Sequence, residues 1–142
     1  MVLTALRRMG LPALTVHTQP SPTTLVNLDT IFYTEPVPFT KQITLLGQPV
    51  TVTARPTSYT WHHGDGTTAT TSTPGAPYPS MEVTHTYLHA HVTVQTRVSV
   101  TYTGRFKVAG GPWQDIPGSV TITGPPTALR IAEATPVLSG NR

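Results

Sequence analysis

From Val92 to Tyr102 the chain alternates with a period of two: Val92, Val94, Thr96, Val98, Val100 and Tyr102 fall on one side, and Thr93, Gln95, Arg97, Ser99 and Thr101 on the other. Branched apolar side chains on one side and polar ones on the other fit a strand with one buried and one wet face. A helix would repeat its apolar positions every three or four residues, so this segment excludes one. The 15 prolines and 11 glycines scattered elsewhere break helices as well. At 142 residues the chain is long enough to bury one core without staples. With 11% charged residues it lacks the charge that usually accompanies disorder.

Shorter segments repeat the pattern. Leu25 to Thr34 places Val26, Leu28, Thr30 and Phe32 on one face and is predicted as a strand, broken by Pro36 and Pro38. Gln42–Leu46 and Val50–Arg55 flank a Gly47-Gln48 turn. A two-residue turn there makes Leu45 face Val50 and Ile43 face Val52. Pro49 cannot donate to Leu46 in that register, so a looser connection is the other reading. Ser58–His63 puts Tyr59, Trp61 and His63 on one face before Gly64-Asp65-Gly66 turns the chain, and a Pro-rich loop runs from Pro74 to Pro79. Met81–Tyr87 then leads into the long strand, and Val120 and Ile122 carry the next one. Seven or eight short strands at this spacing predict an all-β sandwich or barrel. Residues 1–23 lack periodicity and read as a flexible tail with at most one helical turn, residues 24–124 as the sandwich, and residues 125–142 as an edge strand or linker.

Charge and composition narrow the function. The net charge of +3 is spread thinly, with only Arg7-Arg8 adjacent, so no basic stripe for nucleic acid is expected. With 0 cysteines, disulfides, thiolate metal sites and cysteine nucleophiles are excluded. No apolar run approaches the roughly 20 residues of a membrane span, and Met1–Val16, interrupted by Pro12, is a poor match to a secretory leader. Five of the six histidines, His62, His63, His85, His89 and His91, lie close together in sequence. His89 and His91 on one strand face would suit a metal, but a closed site wants about four ligands and no acid or cysteine stands at metal spacing. Asp65 offers one carboxylate where calcium takes about six to eight oxygens. The six acids are dispersed and the serines sit in plain strand or loop contexts. No cofactor, metal site or catalytic residue is therefore expected, and the chain does not read as an enzyme.

Two aromatic residues on connections are the candidates for binding: Tyr78 in the Pro-rich loop, and Trp113 after Gly110-Gly111-Pro112. An aromatic face can stack on a sugar ring or a peptide proline. For Trp113 the competing reading is a lid folded back on the core.

The run Tyr59-Thr60-Trp61-His62-His63-Gly64-Asp65-Gly66, followed by Val83-Thr84-His85-Thr86-Tyr87 and the alternating strand, resembles the PKD domain family. That family is recognised by Trp-Asp-Phe-Gly-Asp-Gly and a later His-x-Tyr on an immunoglobulin-like sandwich. The resemblance covers roughly residues 43–124. Its motif has physical sense in this chain: Trp61 for buried area, Gly64 and Gly66 for positive φ, Asp65 for turn amides, and Tyr87 as a corner residue whose hydroxyl bonds backbone. His85 is part of the motif. His62 and His63 depart from it, standing where the family has Asp and Phe, and His91 lies near a usual Gly. The resemblance implies a PKD-type immunoglobulin-like β-sandwich of about seven or eight strands. It further implies a non-catalytic interaction or spacer module that contacts protein or cell-wall polysaccharide. The flanks, Leu25–Thr34 and Gly110–Leu138, resemble short PKD-containing proteins of actinobacterial envelopes, which implies an extracellular or cell-envelope location. The alternative is a structural subunit that adds edge strand 24–34 or 129–138 to a neighbour's sheet, and the oligomeric state is open.

Overall fold

The alternating segment becomes the spine of the fold, a 17-residue strand, Val92–Val108. Val94, Thr96, Val98, Val100 and Tyr102 are buried as their period requires. Val92 stays exposed at the strand's start, and Ser99, on the other face, is buried and bonded to Thr123 and His62. The computed structural model describes residues 2–134. Its elements are α1 (Val2–Arg8), β1 (His17–Gln19), β2 (Thr23–Leu25), β3 (Asp29–Tyr33), β4 (Phe39–Leu45), β5 (Gln48–His62), β6 (Thr68–Thr71), β7 (Thr84–Thr86), β8 (Val92–Val108), β9 (Gln114–Asp115), β10 (Val120–Thr123) and β11 (Thr127–Ala132).

The fold is an all-β sandwich, with eleven strands among the described residues where seven or eight were expected. The larger sheet runs β2-β11-β8-β5-β4, with β9 and β10 also on β8 and β6 on β5; the smaller runs β1-β3-β7. β11 pairs antiparallel with β8 and parallel with β2. One core lies between the sheets, where Phe32 of β3 meets Trp61 of β5 edge to face at 6.3 Å. Threonines recur on the outer faces, among the cations Arg55, Arg97, Arg105 and Lys107. Thr40–Thr53, Thr60–Thr70 and Thr101–Thr121 hydroxyls bond across neighbouring strands at 2.9–3.1 Å, the kind of cross-strand pair that stabilises a sheet.

Several segments differ from expectation. Residues 1–23, read as a tail, supply Leu6, Met9, Leu11, Leu14 and Val16 to the core. The stretch after α1 is held by the Tyr102 hydroxyl on the Pro12 carbonyl and the Thr34 hydroxyl on the Thr15 carbonyl. It crosses so close to Gly124 that a Cβ there would stand 1.9 Å from the Leu14 oxygen. Leu25–Thr34 is two strands in different sheets, joined through Asn27 at φ 60°. The hairpin turn is Leu46-Gly47, both at positive φ, so Leu45 faces Gln48 and Ile43 faces Val50. This register avoids closing the turn with Pro49, whose missing N–H is harmless opposite Thr44, a position that does not bond across a two-residue hairpin. β5 continues through Pro56 by a bulge between Pro56 and Ser58, where a missing donor is tolerated. β11 is interior, with β2 outside it, so residues 129–132 are no free edge. The remainder of the expected 129–138 strand, from residue 135, lies outside the described residues.

Candidate functional site

Two neighbouring regions carry the candidate residues. The first is the Trp-to-Tyr motif at one end of the sandwich. Trp61 is fully buried and its indole N–H donates to Thr71 Oγ1 at 2.9 Å. The turn that follows is shaped by glycine. Gly64 has φ +88°, and a Cβ on it would lie 2.7 Å from both the Gln95 carbonyl oxygen and the Val94 Cβ, so the turn can press on β8 only without a side chain. Gly66 also has positive φ. Asp65 closes the turn, accepting from the Thr67 amide and hydroxyl through Oδ1. Its other oxygen, Oδ2, meets His85 Nε2 at 2.8 Å, a contact between the two motif halves that the sequence did not announce. Tyr87 acts as the corner residue, its hydroxyl donating to the His63 carbonyl at 2.6 Å.

His63 is 3% exposed and packs as an aromatic ring. It lies parallel to His85, with centroids 3.6 Å apart and planes within 2°, and meets Phe32 edge-on at 5.3 Å. Its Nδ1 bonds Thr67 Oγ1 at 2.9 Å, and its buried Nε2 has no partner. Burial, then the facing His85, pulls its pKa down to about 4. Burial works to raise the Asp65 carboxyl, but hydrogen bonds from Thr67 and His85 outweigh it and hold the group down to about 2. Tyr87 is shifted up, by burial and then by the Asp65 charge.

Ligand atoms of His63, Asp65 and His85 lie within 4.8 Å of one another, an acid beside two histidines that sequence spacing did not reveal. As placed, the trio is a hydrogen-bonded stack and not a chelate. An ion bound in the plane of one ring would stand well out of the plane of the other, and Asp65 Oδ2 is already engaged by His85. His89 and His91 do not share a strand face. Both precede β8, and His91 has φ 64° and lies 3.6 Å from Glu133.

The second region is a groove of about 750 Å³ beside the smaller sheet, lined by Val16–Ser21, Leu28, Asp29, Ile31, Tyr33, Tyr78, Met81 and Thr127. The loop from Pro74 to Pro79 reaches it because Gly75 sits against β3 and the Thr34 amide donates to the Pro74 carbonyl. Tyr78 is pinned by its own amide, which donates to Gln19 Oε1 at 2.6 Å, while the residue as a whole is 74% exposed. Tyr33 and His17 form a second aromatic surface, centroids 5.1 Å apart. Asp29 uses Oδ1 to accept from the Thr86 hydroxyl. Gln19 keeps its amide NH2 and Asp29 its Oδ2 for other partners.

Tyr78 and Trp113 do not form one site. Trp113 follows the turn after the far end of β8 and is not part of this groove. It is 42% exposed, with Lys107 Nζ over its ring at 5.0 Å, so it is not a lid on the core. Sequence reasoning singled out Tyr78 but missed Gln19, Asp29 and Tyr33, which come from segments assigned to a tail and to one continuous strand. Among the described residues no helix is long and apolar enough to cross a membrane. No family model, curated protein or solved structure matches the chain.

Proposed function

We propose that the chain is a non-catalytic interaction module that binds an extended polysaccharide in the Tyr78 groove. The observation that carries this reading is a tyrosine held by its backbone with its ring left in solvent, across from a second aromatic pair. A ring whose backbone is already fixed loses little freedom when a partner covers it, and covering it is favourable. A pyranose presents an apolar C–H face to an aromatic ring and hydroxyls around its rim. Gln19 and Asp29 supply a donor and an acceptor for those hydroxyls. The open groove admits a chain passing through. The motif's resemblance to the PKD family supports the same reading, with a PKD-type immunoglobulin-like domain serving as a contact or spacer module in the cell envelope or extracellular space.

Co-sedimentation with insoluble cell-wall polysaccharide tests it. Wild type is expected to pellet at both low and high salt, and Tyr78→Ala to lose most of that binding, roughly tenfold or more in affinity for one stacked ring. Trp113→Ala should pellet like wild type. Pelleting that salt abolishes, or that survives Tyr78→Ala, rejects the groove as the polysaccharide site and leaves protein contact or spacing.

The second reading, a structural subunit, moves to β4. This seven-residue strand is the longer of the two end strands of the β2-β11-β8-β5-β4 path and contains no proline, the kind of edge that can accept a neighbour's strand. Concentration-dependent association in sedimentation equilibrium would favour it.

A further inference from the structure

We infer that His63 and His85 form an acid-sensitive latch: protonation of the inner ring opens the 63–67 turn and frees β7 from the smaller sheet while the larger sheet stays closed. Geometry carries the inference. His63 has room for a neutral ring only. A proton on each nitrogen would leave one buried N–H without an acceptor, because Nδ1 already reaches Thr67 and Nε2 reaches nothing. The resulting cation would lie face to face with His85 at 3.6 Å and edge-on to Phe32.

The charged and titratable groups around it are Asp65 in the turn, His62 beside it on β5, His85 on β7 and Tyr87 just beyond. Asp65 is the one favourable charge, and its Oδ2 is committed to His85. What the stack holds together is local. The His63 amide donates to the Thr67 carbonyl, the Tyr87 hydroxyl to the His63 carbonyl, and among the described residues β7 pairs only with β3. β7 is three residues long and its backbone is held by three residue pairs with β3, between the buried Val83 and Tyr87. It also braces Asp29 and Ile31, which line the groove, through the pairs Asp29↔Thr86 and Ile31↔Thr84. Acid would loosen that wall.

The sign follows from linkage. The closed latch resists protonation down to about 4, whereas an opened histidine takes a proton near 6.5. The stability of closure is therefore full above about pH 6.5 and falls progressively toward pH 4, the opening constant rising on the order of a hundredfold. Asp65, held down to about 2, stays ionised across this window and does not confuse the result.

Residue-resolved amide hydrogen exchange of the ligand-free chain, corrected for intrinsic rates, tests the latch at pH 7 and pH 4 independently of the groove. In the wild type, protection at His63, Thr67, Phe32 and Asn27 is expected to fall about a hundredfold, while Ser99 and Arg105, which face β5 in the β5–β8 ladder, keep theirs. In His63→Phe the four latch amides should change less than threefold. Equal loss at all six amides, or the same loss in His63→Phe, overturns the proposal. Imidazole NMR titration of the wild type reads the same group without a substitution: His63 staying neutral below pH 5 supports the latch, and titration at 6 or above refutes it.

Discussion

A chain lacking residues 1–16 is expected not to fold. Leu6, Met9, Leu11, Leu14 and Val16 are each at most 7% exposed and pack into the single core. At roughly 1.5–3 kcal/mol per buried side chain, their loss removes about 7–15 kcal/mol. That matches the whole stability of a typical domain, about 5–15 kcal/mol. The truncation also strands the Tyr102 hydroxyl and the Thr34 hydroxyl, which now bond the Pro12 and Thr15 carbonyls, and exposes the seat of α1 around Gly104, where Leu6 packs near Ile116. Circular dichroism during a urea titration is the check. The truncated chain should show no cooperative transition. A transition within about 1 kcal/mol of the full chain would mean that the segment only decorates the surface.

Trp61→Ala is expected to cost about 3–5 kcal/mol, the range for removing a large aromatic from a core. Trp61 is fully buried between Phe32 at 6.3 Å and Tyr59 at 6.1 Å, and pairs directly with Val98 across β5 and β8. Truncation would leave a cavity at the point where the two sheets touch and would free Thr71 Oγ1 from the indole N–H. Trp113→Ala is the internal control. Half exposed and covered by one lysine side chain, it should cost less than about 1 kcal/mol. Urea denaturation of both variants measures the difference. Equal losses would contradict the placement of Trp61 as the core's anchor.

These two segments mark what was and was not legible in the sequence. Trp61, Tyr59 and the β8 alternation could be read because a strand imposes a period of two, and burial of one face writes that period into the residues. The first 16 residues carry no such mark. After α1 they cross the core as irregular chain, so Met9, Leu11, Leu14 and Val16 are buried at spacings set by their neighbours and by Gly124. The Leu46-Gly47 turn was displaced by one residue because leucine at φ 52° goes against local preference, and the cost of closing on Pro49 outweighed it. At Asn27 the alternation of Val26, Leu28, Thr30 and Phe32 is real in sequence but is cut by a change of sheet.

The candidate site was legible in its parts and not in its arrangement. Gly64 and Gly66 sit at positive φ, Asp65 accepts from the Thr67 amide, and the Tyr87 hydroxyl bonds the His63 carbonyl. Asp65 and His85, 20 residues apart, meet because β7 docks on β3 beside the end of β5, a tertiary event without local signal. Tyr78 could be picked out as an aromatic in a Pro-rich loop. Its companions Gln19, Asp29 and Tyr33 depend on β1 and β3 pairing with each other, and β1 lies in the stretch that showed no periodicity.

The polysaccharide-binding groove is tested most directly by titrating the 15N-labelled chain with soluble oligosaccharides from cell-wall polysaccharide and following its amide resonances. Saturable shifts centred on Thr18, Gln19, Asp29, Tyr33 and Tyr78, and absent in Tyr78→Ala, are the predicted result. Saturable shifts centred on Trp113, or no saturable shift at the groove residues at millimolar ligand, would contradict it.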